Sequence, residues 1–482
     1  MNHRAVLKVL GFLLLVTAVC LLLPAAVSAL YGDPDWPHFL ATAGLGILLG
    51  GTVLLVVRNA PDLHAREGFA VVALGWLVVG LLGAVPYWSS GQIPSFVDAV
   101  FESISGFTTT GASILTDIES RTHGVLLWRA LTHWLGGMGI VLLALAILPL
   151  LGVGGMQLFR AEVPGPVSER LTPRISQTAK LLWGVYVLLT VCEIVALKIA
   201  GMGMFDSICH AFGTMATGGF SNHNASVGGY ATPAVEWIII VFMFLAGANF
   251  SLHYLALTGK VKVYFKDEEF RFYGLIILIC TGLIAASLHA VHFYTGRMET
   301  LRHTLFQVTS IITTTGFGTA DYLQWPPVAH AILLTLMVVG GCAGSTGGGI
   351  KVMRLFLLLR NAKYELKKML HPRAVYTLWF NERPVAPALL TNILGFFLLY
   401  MSILVTGVII LTLGGRDLVT SIGATAATLG NIGPGLGLVG PASNYAHLLD
   451  WEKLLLVLFM LIGRLEIFTV LVLFLPEAWR KR

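Results

Sequence analysis

Threonine and glycine, repeated at long intervals, are the residues of this chain whose types and spacing could do chemistry. Thr108–Ser113 reads TTTGAS and Thr313–Gly318 reads TTTGFG. A third stretch, TGGFS, begins at Thr217, and a fourth, GNIGPGLG, at Gly430. Aligned on Gly111, Gly219, Gly316 and Gly433, the four recur at intervals of 108, 97 and 117 residues. They hold no carboxylate, imidazole or thiol; what they offer is backbone. Glycine permits angles that point successive carbonyls toward an axis, and rings of carbonyls replace the hydration shell of potassium in known selectivity filters. On this reading the ion-facing carbonyls belong to Thr109 and Thr110, Thr217 and Gly218, Thr314 and Thr315, and Asn431 and Ile432, each pair followed by its glycine. The fourth loop has Asn431 and Ile432 where the others have threonine or glycine, which predicts an irregular ring. Small residues that simply let helices pack closely are the competing reading.

Loops of this kind need a scaffold that holds backbone at membrane depth. The chain has 482 residues, 56% of them hydrophobic and 12% charged, with mean hydropathy +0.81. A soluble globular protein carries roughly 25% charged residues, so the solvent around most of this chain is lipid. Apolar runs of about 20 residues, enough to cross a bilayer, predict spans near 7–30, 37–58, 68–89, 124–150, 181–202, 232–257, 272–294, 328–359, 388–413 and 453–475. The run from Val6 could be a signal peptide, but further spans follow it and no clear cleavage site does, so it is read as a helix.

After the third, fifth, seventh and ninth spans come short pieces, 96–107, 205–216, 301–312 and 417–429, each leading into one of the glycine stretches. They are too short to cross, which predicts re-entrant half-helices. The expected fold is therefore an all-α polytopic membrane protein. Two extra N-terminal helices (1–66) precede four pseudo-repeats of helix, pore half-helix and helix, at 67–165, 166–268, 269–375 and 376–482. Such a repeat decides the architecture. Irregular backbone at membrane depth is tolerated only where it is buried or lines a water-filled cavity, so the four loops predict a ring around a central pore. The half-helices would aim their C-terminal ends, which carry partial negative charge, at that ring.

Most of the 31 lysines and arginines fall on one side if the N-terminus is cytoplasmic, including eight between Lys351 and Arg383. The positive-inside rule then predicts both termini in the cytoplasm. The opposite side carries Asp33, Asp35, Asp117, Glu119, Glu236, Asp321, Asp417 and Asp450. An acidic face would concentrate cations; ordinary solvated loop charge is the plainer account. The five cysteines show no disulfide or metal-ligand spacing and read as small apolar residues.

Two features lie below the expected ring. The eighth span carries Gly340, Gly341, Gly344, Gly347, Gly348 and Gly349. At about 1 kcal/mol each relative to alanine they predict a break near mid-membrane. Ser345, Thr346 and the flexible backbone around them would then obstruct the path, unless the break is only a packing kink. Arg464 lies inside the last apolar run, where a charge costs at least about 2.5–3.5 kcal/mol and points to function or pairing. It would act as a positive barrier on a cation path, or as half of a salt bridge; Glu466, two residues on, does not face it on a helix.

These residues resemble the TrkH/TrkG potassium uptake proteins of bacteria, within the superfamily that also holds the Ktr and plant HKT transporters. The resemblance rests on residues 133–166, the four loops, GSTGGGIKVMRLF (344–356) and HPRAVY (371–376), and extends over the whole chain. It implies filter glycines at Gly111, Gly219, Gly316 and Gly433, a gating loop from Gly340 to Lys351 and a pore arginine at Arg464. In some plant relatives serine replaces the first glycine and sodium is favoured; four glycines point to potassium. The resemblance also implies an inner-membrane homodimer seated on a cytosolic ring of nucleotide-binding regulatory subunits of the TrkA type. The basic loops fit that docking surface and fit anionic lipid equally well. No P-loop or Rossmann fingerprint is present, so nucleotide is expected on the partner and no covalent cofactor on this chain, with potassium as the substrate.

Three functions compete at this stage. A gated channel-like potassium uptake protein leads. A proton- or sodium-coupled symporter would use ionisable groups in the spans, such as His133 and Glu193. A membrane enzyme would need acids and histidines gathered at one face, and His210, His223 and His253 are scattered. Glu102 and Asp206, in the half-helices, read as caps or vestibule residues.

Overall fold

The computed structural model describes residues 2–57, 65–139, 175–230, 232–374 and 376–479. The long segment 133–166 that carries much of the resemblance lies largely outside the described residues. So do Arg58, Arg160, Arg170, Arg174 and the three basic residues at the C-terminus.

Helices dominate. His3–Cys20 and Leu22–Tyr31 run on as one 29-residue apolar stretch, followed by Trp36–Val56. Four sets of three helices come next. Each has an outgoing helix, a short pore helix and a returning helix. The outgoing helices are Ala65–Ser89, Ile175–Ile199, Glu268–Ala290 and Pro387–Leu413. The pore helices are Phe96–Phe107, Met204–Met215, Arg297–Ile312 and Leu418–Leu429. The returning helices are His123–Gly137, Pro233–Ala246, Pro327–Val339 and Asp450–Arg464. Among the described residues, six helices are long and apolar enough to cross a membrane, or eight if each bent pair counts once.

The shortfall against ten predicted spans lies mainly in the returning helices. The second, expected unbroken over 232–257, turns by 100° between Ala246 and Phe250. There Gly247 ends one helix, and Asn249 caps the next by accepting from the Ser251 N–H. The fourth, expected unbroken over 453–475, turns by 116° after Arg464, with Glu466 at φ 58°. The third stops at Val339, and the chain resumes as Val352–Leu370 only after an irregular loop.

Side-chain pattern explains where each helix sits. Leu275, Leu278, Leu283, Leu398 and Val405 stay exposed on the third and fourth outgoing helices, as lipid-facing positions do. The pore helices are sunk: in the first, every residue from Ala99 to Phe107 is buried. Ser95 and Asp417 cap the first and fourth pore helices by accepting from the N–H groups of Asp98 and Thr420. Hydrogen bonds from Thr420 hold the exposed Asp417 carboxyl below its usual value.

Each pore helix also packs on the returning helix of the preceding set, and the first pore helix packs on the returning helix of the fourth. The arrangement is thus a closed circuit of helices. Outside it, His3–Cys20 lies between Trp36–Val56 and Ala65–Ser89. Small residues permit the approach: a Cβ on Gly50 would come within 2.5 Å of the Gly11 carbonyl. Gly50→Leu is therefore expected to separate these helices and lower the melting temperature in detergent, with an overpacking cost of about 1–3 kcal/mol.

Below the circuit, Trp379–Phe380 and Arg383–Pro384 form a hairpin whose turn residues Asn381 and Glu382 have φ of 46° and 60°. Two left-handed turn residues match the twist of short hairpins. Asn381 binds the start of the third outgoing helix. Its side chain donates to Asp267 (2.7 Å) and accepts from the Glu268 N–H (2.8 Å).

Candidate functional site

The four glycine stretches begin as helix ends. In each pore helix the chain leaves through the same pair of hydrogen bonds. Thr109 N–H reaches the Gly106 carbonyl and Thr110 N–H the Ser105 carbonyl, at 3.0 and 2.9 Å. The equivalents are Thr217 to Thr214 and Gly218 to Gly213, Thr314 to Ile311 and Thr315 to Ser310, and Asn431 to Thr428 and Ile432 to Ala427. This is the Schellman ending, whose first residue past the cap is left-handed and usually glycine. Here that place is held by Thr109, Thr217, Thr314 and Asn431, at φ 53°, 53°, 60° and 54°. A left-handed β-branched residue is a genuine outlier. Three in equivalent places, each costing of order 1–3 kcal/mol, mark a site whose surroundings impose them. Asparagine tolerates that conformation better. The fourth loop thus keeps the left-handed residue at its start but departs at its glycine: Gly433 has φ 95°, and its Cβ would stand 2.7 Å from the next carbonyl, farther than in the other three, in line with an irregular fourth quarter.

Two residues on, Gly111, Gly219, Gly316 and Gly433 are left-handed again, at φ 77°, 81°, 82° and 95°. The residue between is not, so the backbone changes hand at successive residues and follows neither a regular helix nor a regular strand. Each glycine also lies against the next loop. A Cβ on Gly111 would collide with the Gly218 carbonyl, on Gly219 with that of Thr315, on Gly316 with that of Ile432, and on Gly433 with that of Thr110. The order runs first to second, third, fourth and back to first. Eight of the twelve sequence-predicted filter residues thereby meet in one closed ring, and the other four, Thr109, Thr217, Thr314 and Asn431, lead into it.

The Gly340–Lys351 loop lies directly under this ring. Thr346 places its hydroxyl 3.1 Å from the Met215 carbonyl, 3.2 Å from that of Ala246 and 3.2 Å from the Thr217 hydroxyl. Gly348 N–H donates to the Thr314 hydroxyl at 2.7 Å. Cβ atoms on Gly347 and Gly348 would press on the carbonyls of Thr313 and Gly430. Thr346, Gly347 and Gly348 therefore face the ring, whereas Gly344, Ser345 and Gly349 shape the loop itself. Gly344 accepts from the Phe250 N–H (3.0 Å), Ser345 donates to the Cys342 carbonyl (2.6 Å), and Gly349 packs on Gly340.

The loop was expected to be flexible backbone; it is instead heavily tied. Cys342 N–H reaches the Gly247 carbonyl, and Lys351 N–H that of Val339, both at 2.9 Å. The Lys351 ammonium donates to the Gly347 carbonyl. Buried Glu269 holds both ends of the loop, accepting on one oxygen from Ala343 N–H (2.7 Å) and Met353 N–H (3.1 Å). Sequence reasoning missed Glu269, because its partners are backbone groups far along the chain.

Arg464 is half-buried and bonded to carbonyls. It donates to Thr346 (2.6 Å), Gly136 (2.5 Å) and Gly137 (2.7 Å), so it links the loop to the first returning helix. Glu466 pairs instead with Arg354 at 2.5 Å, and that guanidinium stacks on Phe396. A cavity of about 620 Å³ opens against the loop, lined by Trp76, Asn249, Lys351, Phe380, Arg464 and Glu466 among others.

Other predicted groups fall elsewhere. Glu102 is neither a cap nor a vestibule residue; it is fully buried and paired with Arg129 at 2.8 Å. Arg129 went unnoticed in the sequence, although a charge inside an apolar helix is the same signal that singled out Arg464. His133 has both ring nitrogens engaged, one with the Gly106 carbonyl (2.8 Å) and the other accepting from Phe220 N–H (3.2 Å). That pattern needs a neutral ring. Of the outer acids, Asp35 and Glu236 are buried and bonded to Ser28 and Arg302, so they add nothing to an open acidic face. Asp117, Glu119, Asp417 and Asp450 remain exposed. Among the described residues no group of three or more His, Cys, Asp or Glu could hold a metal ion.

Known proteins share this architecture. The family model TrkH, described as a cation transport protein, matches residues 38–481. The Trk system potassium uptake protein TrkH of Salmonella typhimurium is 42% identical over the full length of both chains. The Trk system potassium uptake protein TrkG of Escherichia coli is 34% identical over 99% of each. The crystal structure of the potassium transporter TrkH from Vibrio parahaemolyticus superposes with a TM-score of 0.89 at 39% identity, covering 100% of both chains. These relatives are membrane transporters and not enzymes, and with matches along its whole length the chain belongs to the TrkH family of cation transport proteins.

Proposed function

We propose that this protein takes up potassium across the bacterial inner membrane through a gated, channel-like pore, with the four-loop ring as its selectivity filter. The observation that carries the reading is the closed contact of each filter glycine with the carbonyl before the next one. Such a ring offers oxygen ligands at a spacing fixed by backbone on all sides. Thr109, Thr110, Thr217, Gly218, Thr314, Thr315, Asn431 and Ile432 supply the carbonyls, and the four glycines let them approach. Four helix C-termini directed at the ring add partial negative charge. Relatives named for potassium uptake support the choice of ion.

In this reading the Gly340–Lys351 loop is the gate, and Arg464 and Lys351 add positive charge beneath it. The gate opens when Thr346, Gly347 and Gly348 leave the filter. Glu269 holds both ends of the loop in the closed position. Glu269→Ala leaves two buried N–H groups without their acceptor, at about 1–3 kcal/mol each. It is expected to raise basal potassium flux in liposomes and to lower the melting temperature.

The exposed Lys363, Lys367 and Lys368 beside exposed Leu366, Met369 and Leu370 suit docking of a cytosolic partner. We read that partner as a TrkA-like nucleotide-binding subunit, with the chain a homodimer and both its termini cytoplasmic. The competing proton-coupled reading gains no support from His133, whose hydrogen bonds leave no site for a transported proton. Flux into liposomes under an imposed potassium gradient, with and without a proton gradient, tests the proposal. Downhill potassium flux that needs no proton gradient is expected; uphill uptake on a proton gradient alone would overturn the channel mechanism.

A further inference from the structure

Behind the ring, the pore helices brace the chain that follows each glycine, and they do so unequally. The residue nine places before the filter glycine is Glu102, His210, Gln307 and Ala424 in turn. Glu102 accepts from the Ser113 hydroxyl at 2.9 Å and from Ile114 N–H at 2.9 Å. His210 meets the Ser221 hydroxyl at 3.0 Å, at the same separation of eleven residues. Gln307 donates to the Ala320 carbonyl at 3.2 Å. The Ala424 side chain has nothing to donate or accept. In its quarter, tyrosines from other segments replace the brace: Tyr322 donates to the Gly435 carbonyl (2.7 Å) and Tyr445 to that of Gly433 (2.6 Å).

The first brace is charged, and it reaches two loops. Arg129 donates from Nε to Glu102 (2.8 Å), from Nη1 to the Ser221 carbonyl (3.1 Å) and from Nη2 to the Ser113 hydroxyl (3.3 Å). Its guanidinium lies 4.1 Å over the Phe220 ring. Glu102 is 0% and Arg129 1% exposed. A buried ion pair is weak evidence for stability, because desolvation offsets the attraction; fixing a single arrangement is a better-attested use. Here the planar fork of arginine, which an ammonium cannot reproduce, joins the segment after Gly111 to the segment after Gly219.

We propose that Glu102 and Arg129 form a positioning pair that locks the first and second filter loops in register and thereby sets potassium-over-sodium discrimination. The pair is neutral overall and lies behind the loops, so it acts through backbone carbonyl positions and not as an ion ligand. The proposal rests on the four-loop ring being the filter.

The test uses the full chain reconstituted in liposomes, reading the ratio of potassium to sodium uptake and, separately, the melting temperature. Arg129→Lys keeps the buried charge and loses the fork. It is expected to lower the ratio several-fold, and Glu102→Gln with Arg129→Gln, which leaves no lone charge, to lower it about tenfold. The double variant Arg416→Gln with Glu452→Gln removes a bidentate pair of the same chemistry at the start of the last returning helix. It is expected to lower the melting temperature and leave the ratio unchanged. A ratio for Arg129→Lys within twofold of the unaltered protein overturns the proposal, and that variant decides alone if the double variant does not fold. Gly111→Ser separates the two levels. If it alters the ratio and Arg129→Lys does not, only the positioning role falls; if Gly111→Ser does not alter it, the filter reading falls.

Discussion

Serine at Gly111 is expected to remove most of the preference for potassium over sodium. Two effects act together. Gly111 sits at φ 77°, where an L-residue costs roughly 1–2 kcal/mol. Its new Cβ would also collide with the Gly218 carbonyl, one of the oxygens proposed to bind the ion. Relief of the collision moves that oxygen outward or turns it away, and the ring loses its fixed spacing on one side. Each 1.4 kcal/mol of lost discrimination is a factor of ten, so a fall of about tenfold or more in the potassium-to-sodium flux ratio is expected. Gly318→Ala is the control. It lies two residues past Gly316, where a Cβ would meet only ordinary contacts at 3.8 and 3.9 Å. Its ratio should stay near that of the unaltered protein. An unchanged ratio in Gly111→Ser would count against the filter assignment.

Removal of Arg464 is expected to raise basal flux. The guanidinium holds the Thr346 carbonyl of the loop against the Gly136 and Gly137 carbonyls of the first returning helix. Of these, the bond to the Thr346 carbonyl needs the loop seated. Hydrogen bonds to charged groups contribute about 1.5–3 kcal/mol, so losing that difference shifts the closed-to-open ratio by roughly ten- to hundredfold. Arg464→Ala also removes a positive charge below the filter, which acts in the same direction. Arg464→Lys keeps the charge and cannot bridge three carbonyls as a planar fork does. Intermediate flux in Arg464→Lys would divide the effect between tether and charge. Basal flux equal to that of the unaltered protein in Arg464→Ala would sink the gating role.

Much of this architecture was legible because it is repeated. Four glycines at near-equal spacing announced a ring before any coordinate was known, and the six glycines of 340–349 announced a break. What stayed hidden was set by partners distant in sequence. Threonine resists the left-handed region, so nothing local marks Thr109, Thr217 and Thr314 as left-handed; neighbouring loops impose it. The second returning helix read as continuous because its apolar run passes through Gly247 and Asn249 with only one glycine between the helices. The turn is fixed by the Asn249 cap together with the Gly340–Lys351 loop, through Cys342 N–H on the Gly247 carbonyl and Phe250 N–H on that of Gly344. Glu269 and Arg129 looked like isolated charges, and their roles are defined by groups far along the chain: the Ala343 and Met353 N–H groups for Glu269, and Glu102 and the Ser221 carbonyl for Arg129.

The closure of the ring also governs how the molecule can be made. Asn431 donates to the Thr110 hydroxyl at 2.9 Å across 321 residues of chain, and the first pore helix rests on the last returning helix. Contacts so distant in sequence are reached late, after the entropy of a long loop has been overcome. During synthesis from the N-terminus, the first three pore loops stand in the bilayer as an open arc. The flank of Phe96–Phe107 awaits a helix not yet translated, and domains left incomplete in this way are prone to misassembly. The ring therefore closes only with the final hundred or so residues. A chain that stops before Asp450–Arg464 leaves that flank of Phe96–Phe107 uncovered.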